Sequence, residues 1–155
     1  MLRDGKVLGE RDSVVFDEPQ YSYPFIAALM YSIQKSKQIK VYDIGGSLGS
    51  TFYQHKHFFG NSVQTWNIIE QRKFVNLGNS NYKNGILSFQ EDLPTSIEGN
   101  NSFFLLSSTL QYLEKPNSIL KKISELNPKY IFIDKTPVSS DNNNYLTVQN
   151  VNEPI

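Results

Sequence analysis

The sequence predicts a doubly wound α/β domain: a mostly parallel sheet with helices on both faces. Three observations carry that expectation. Short β-rich runs alternate with helical stretches at roughly the spacing of βα units, the first run ends in a glycine cluster that opens a helix, and 155 residues suffice for one core. Hydrophobic residues make up 39% of the chain and aromatic ones 13%, more than a disordered segment carries, so the chain should fold.

Residues 1–20 read as an N-terminal extension and 21–155 as the domain. Over 21–37, Phe25, Leu29 and Ile33 recur at helical steps with Ile26 and Met30 beside them, and Pro24 sits near the start, where a helix tolerates it. Ile39, Val41, Tyr42 and Ile44 form a first strand that stops at Gly45-Gly46, and 48–59 resumes a helical pattern before Gly60-Asn61. A second strand is expected over 63–69, then a helix over 71–77 that Gly78-Asn79 ends. Strands follow over 86–89 and 103–106, a helix over 117–126 behind Pro116, and a fifth strand over 130–133.

Beyond Asn144 only 145–151 can form another strand, so the sheet is expected to be incomplete at its C-terminal edge. An open edge is a hazard. Either the chain is a fragment, the favoured expectation, or its edge pairs with another copy as a homo-oligomer.

Composition excludes several functions. Fifteen Lys and Arg balance fifteen Asp and Glu, so no global field draws the chain to nucleic acid or to an anionic membrane. With no cysteine there is no disulfide framework and no thiolate chemistry, and two histidines leave few ligands for a metal. The amino terminus flanks each short apolar stretch with charges and has no signal-peptide core. The longest apolar run, 24–31, falls well short of the about 20 residues a membrane helix needs. A soluble, cytoplasmic protein with no membrane insertion is expected.

The chemistry concentrates after the first strand, in Val41-Tyr42-Asp43-Ile44-Gly45-Gly46-Ser47-Leu48-Gly49-Ser50. In a doubly wound sheet this turn lies at the carboxyl end of the strand, where ligands bind, and its glycines remove Cβ atoms that would block close approach. A dinucleotide fingerprint would need a glycine where Ile44 stands, and a P-loop would need a lysine that 41–54 lacks. Nicotinamide and nucleoside triphosphates are therefore disfavoured. An acid followed by glycines two and six positions later remains: Asp43, Gly45 and Gly49. The bland alternative is a tight βα turn with no ligand.

These residues resemble the glycine motif of class I S-adenosylmethionine-dependent methyltransferases, with Ser47 in place of the middle glycine. The resemblance implies a Rossmann-like fold and S-adenosylmethionine as cofactor. It implies that the turn residues Asp43, Gly45, Gly46, Ser47 and Gly49 hold the amino-acid end, Asp43 attracting the ammonium by a charge-assisted hydrogen bond. It assigns the ribose hydroxyls to Glu70, with Gln71 beside it, at the end of the second strand. The alternative for Glu70 alone is a solvated strand end. The resemblance places the adenine against Asp92 and Leu93, with Glu91 as the rival acid, and the methionine arm against the backbone of Ser107 and Ser108.

Five stretches, 45–51, 68–71, 110–116, 131–137 and 146–149, look like an uncharacterised bacterial branch of that family, often encoded among genes for surface polysaccharides. That resemblance implies methyl transfer to a small-molecule or glycan-intermediate acceptor. Tyr112 and Asp134, at strand ends on the ligand side, are the candidate catalytic residues. A core tyrosine and a salt-bridged strand end are their plain alternatives. His55 and His57 are further candidate bases, but they fall two apart on one helix, hence on different faces, and the surface reading is preferred for each. The alternative functions are a non-catalytic interaction module that keeps the cofactor fold and, further behind, a nicotinamide-dependent oxidoreductase.

Overall fold

A computed structural model describes residues 9–11, 14–16, 18–141, 143, 145, 146 and 148. Strands β1 (Gly9–Arg11) and β2 (Val14–Phe16) form an antiparallel hairpin. The main sheet holds β3 (Ile39–Ile44), β4 (Val63–Ile69), β5 (Leu87–Gln90), β6 (Ser102–Ser107) and β7 (Tyr130–Asp134). Its order is β5-β4-β3-β6-β7 and every pair is parallel. The chain thus winds outward from β3 to β5, returns, and winds the other way through β6 to β7. The point of reversal lies between β3 and β6, which is where an open α/β sheet leaves a crevice for ligands.

Four helices cover the sheet: α1 (Tyr23–Ser36), α2 (Ser50–Phe59), α3 (Arg72–Asn81) and α4 (Pro116–Glu125). Helix α1 starts where the Ser22 hydroxyl accepts the Phe25 amide, with Pro24 in the first turn, and buries Phe25 and Leu29 one turn apart. Those residues join Phe52 and Phe59 of α2 and Val75 of α3 against Val41, Trp66, Ile68, Leu87 and Phe103 in an aromatic core on one face. The other face is thinner. Ile123 of α4 packs there on Tyr42, Ile44, Phe104 and Leu106, helped by Leu93 and Ile97 from the irregular stretch between β5 and β6.

The strands expected over 39–44 and 63–69 form with those bounds, since their β-branched and aromatic residues are nearly all buried. Gly78, expected to end a helix, does not. It lies inside α3, because a Cβ there would fall 2.4 Å from the Phe89 ring; glycine lets α3 settle on β5. Helix α2 begins at Ser50 rather than at 48, since Ser47 and Gly49 take left-handed backbone (φ 51° and 91°) that a helix cannot absorb. Most of the strand expected over 145–151 lies outside the described residues; Tyr145, Leu146 and Val148 themselves are exposed and in no strand. Among the described residues no helix is long and apolar enough to cross a membrane.

Candidate functional site

The carboxyl ends of β3, β4, β6 and β7 converge around one cleft of about 530 Å³, within the range of small-molecule sites. Backbone bonds knit its floor: the Gly45 amide reaches the Ile69 carbonyl at 3.0 Å, and the Ser108 amide reaches the Asp134 carbonyl at 2.9 Å. The Thr109 hydroxyl donates to the Ile44 carbonyl at 2.8 Å and so ties β6 to β3 across the reversal point. Gly45 (φ 74°) has to lack a side chain, because a Cβ would meet Thr109 at 2.7 Å.

Asp43 sits under the glycine turn, 2% exposed. Strand alternation turns it to the same face as Val41, beneath α1 and α2. The Trp66 indole donates to its Oδ2 at 3.1 Å, and a Cβ on Gly46 would stand 2.6 Å from that same oxygen. Burial pushes the Asp43 carboxyl up to about 7; the Trp66 hydrogen bond opposes the rise and the nearby Glu70 charge adds to it. A cation beside a carboxyl so placed favours its ionised form.

Glu70 has different surroundings. Its Oε1 accepts the Ser47 amide at 3.2 Å and its Oε2 accepts the Gln71 amide at 2.8 Å, which aims the carboxylate from the end of β4 toward the glycine turn. Both acids line the cleft, together with Gly45, Gly46, Ser47, Gln71, Ser107 and Ser108. Gly49 stands behind it as the buried N-cap of α2, where a Cβ would touch Leu87 and Ile68. Asp92 and Leu93 line an adjoining depression walled by Ile44, Ile69 and Ile119, and Glu91 reaches both spaces while Arg72 bonds its two oxygens at 3.1 Å. Ser47, Ser108 and Lys135 all take left-handed φ near 50–57°, a strain of about 1 kcal/mol or more each, at three neighbouring strand ends.

Tyr112 lines the cleft and is 68% exposed, so it is not a core residue. Asp134 accepts the Ser22 hydroxyl at 2.8 Å and the Lys135 amide at 2.9 Å. The surface reading holds for His57 and fails for His55, which is 3% exposed and lines the cleft. Its Nδ1 donates to the Thr51 carbonyl at 2.8 Å, leaving Nε2 to accept the Ser22 amide at 3.4 Å. Phe25 and Tyr21 pack on its ring, and this burial lowers its pKa from the ordinary histidine value. The Gln20 amide donates to Gln54 Oε1 at 3.0 Å, so 20–22 lies along one side of the cleft. Sequence reasoning missed Gln20, Ser22, Gln54 and Trp66. Only Trp66 left a local signal, since in parallel register it opposes Val41 and shares the face of Asp43.

No protein-family model and no curated protein matches the sequence. Among solved structures, the chain is similar to the YcgJ protein from Bacillus subtilis (16% identity, TM-score 0.46, covering 67% of this chain and 46% of that one). It is also similar to the plantazolicin methyltransferase BpumL in complex with SAH (17% identity, TM-score 0.46, covering 71% of this chain and 46% of that one). The chain spans about half the length of either. What the cleft can hold follows from its own residues.

Proposed function

We propose that the cleft binds S-adenosylmethionine and that the protein is a methyltransferase acting on a small molecule or a glycan intermediate. One observation carries this reading: a buried carboxyl, Asp43, and a second acid, Glu70, line one cleft at the reversal point of the sheet, with the turn glycines Gly45 and Gly46 beside them. Two acids so close repel a pyrophosphate and favour a ligand with a cationic end and hydroxyl groups. Asp43 would hold the ammonium, Glu70 with Gln71 beside it the ribose hydroxyls, the backbone of Gly45 to Ser47 the methionine chain, and Asp92 and Leu93 the adenine along the adjoining depression. Ser107 and Ser108 would flank the sulfur end.

The cofactor, when bound, supplies an electrophilic methyl group. The chain's own contribution is to orient, to exclude water and to receive a proton. A non-catalytic interaction module would have no use for an open cleft of this size beside an ion-demanding carboxyl, which favours the enzyme over that alternative.

Calorimetry tests the reading. S-Adenosylhomocysteine, which keeps the ammonium and the ribose, is expected to bind with micromolar affinity. Because Asp43 titrates at about 7, binding near that pH should also release a fraction of a proton, seen as a heat that varies with the ionisation enthalpy of the buffer. Titration of the folded full chain without heat in any buffer sinks the proposal.

A further inference from the structure

Trp66 is the single tryptophan of the chain, and it lies on β4 fully buried. In the parallel register it opposes Val41 while Ile68 opposes Asp43, so the indole starts two residues short of the acid on the same face. Three rings hold it there. Phe25 of α1 and Phe52 of α2 meet it edge-on at 6.1 and 5.6 Å between centroids, and Phe59 stacks on it at 5.6 Å. An indole so wedged keeps one orientation, and its N–H is aimed at Oδ2 of Asp43, 3.1 Å away. The backbone of Gly46 closes on the same group: a Cβ there would stand 2.6 Å from Oδ2 and 3.1 Å from Oδ1. The carboxyl is thus gripped between one fixed donor and the glycine turn.

Cost shows which partner serves the other. A buried indole N–H needs an acceptor, and a carbonyl would satisfy it. A carboxyl in a nearly dry place is far costlier to keep, because its charged form loses hydration. The donor therefore serves the acid. An indole only donates, so its bond to a carboxyl favours the ionised form over the neutral one. Burial and the Glu70 charge act against that form, and the indole acts for it. The other titratable groups lining the cleft, among the described residues, are Glu91 after β5, His55 on α2, and Tyr112 and Lys135 beyond the ends of β6 and β7. The residues that α1 packs on this core face, Phe25 and Leu29, carry no charge.

We propose that Trp66 is a positioning residue of the cofactor site: its indole N–H fixes the Asp43 carboxyl and favours the ionised form that receives the cofactor's ammonium. This rests on the cofactor reading above. Asp43 touches the ammonium, and Trp66 acts only through Asp43. Without the N–H the carboxyl would keep its proton to a higher pH, and below that pH each binding event would first have to expel it.

The pH profile of binding tests this. Trp66→Phe keeps an aromatic ring and removes the donor. Affinity for S-adenosylhomocysteine is measured by calorimetry on both chains, across a window that brackets the value of about 7 to which burial raises the carboxyl. The variant should bind about tenfold more weakly at about pH 5.5 and nearly as well as the unaltered chain at about pH 8.5, since a hydrogen bond to a charged group moves its ionisation by about one pH unit. A packing role alone would weaken binding by the same factor throughout. A ratio that does not shrink as pH rises therefore overturns the role of Trp66 while the cofactor reading stands. Absence of binding by the unaltered chain at every pH sinks the cofactor reading and this inference with it. The thermal midpoint shows whether the variant folds. If it does not, benzothienylalanine in place of Trp66, which keeps the bicyclic ring and puts sulfur where the N–H was, is judged by the same outcomes.

Discussion

Asp43 and Glu70 end neighbouring strands, yet the fold treats them oppositely. Glu70 lies at the lip of the cleft and receives two backbone amides, whereas Asp43 lies below the turn with the Trp66 indole as its donor and a pKa raised by burial to about 7. The same chemical group is thus fixed and solvated in one place and held in reserve in the other. Depth beneath the sheet's covering helices makes the difference: Asp43 points under α1 and α2, while Glu70 follows the last residue of its strand. The buried acid is suited to a charge, the rim acid to hydroxyl donors.

Breaking the buried half should cost most. Asp43→Ala is expected to weaken S-adenosylhomocysteine binding on the order of a hundredfold, as loss of one partner of a buried charge pair does, measured by calorimetry. Gly46→Ala should act through the same carboxylate, since its methyl group would stand 2.6 Å from Asp43 Oδ2; a loss of about 2 kcal/mol in binding is expected, with the thermal midpoint as a control for folding. At the rim, Glu70→Ala should cost only about tenfold in affinity, with the same assay. If Glu70→Ala proves the more damaging, the division of labour between the two acids is wrong.

The smallest effect concerns the ligand-free chain. An acid whose folded pKa lies above its unfolded value of 3.8 stabilises the fold most below that value, and the contribution is lost as pH rises through about 7. Asp43→Asn should therefore gain stability relative to the unaltered chain between about pH 5 and about pH 8, by a few degrees in thermal midpoint. Equal midpoint differences at both ends would show that Asp43 does not titrate in that window.

Local chemistry made much of this readable in the sequence. The β-rich run 39–44 with its glycine stop predicted β3 and the turn after it, and the spacing to Glu70 put a second acid at the end of the next strand. Where the sequence misled, a distant partner decided. Gly78 has the propensity of a helix stop, but the Phe89 ring on β5 requires its missing side chain inside α3. Helical periodicity separated the faces of His55 and His57, but which face turns inward depends on Phe25 of α1 and on Tyr21 just before that helix. Nothing near Asp134 foretells that its partner is Ser22, which lies 112 positions earlier.

That last bond has a consequence for biogenesis. Ser22 caps the first helix, abuts His55 and grips Asp134 on an edge strand of the sheet, so the side wall of the cleft is clasped by residues that leave the ribosome 112 positions apart. A nascent chain that has emerged only through β6 can hold its glycine turn and both acids, yet its cleft still lacks the Asp134 clasp. Completion of β7 is thus the event that shuts this wall, and ligand capture should lag behind sheet formation during synthesis.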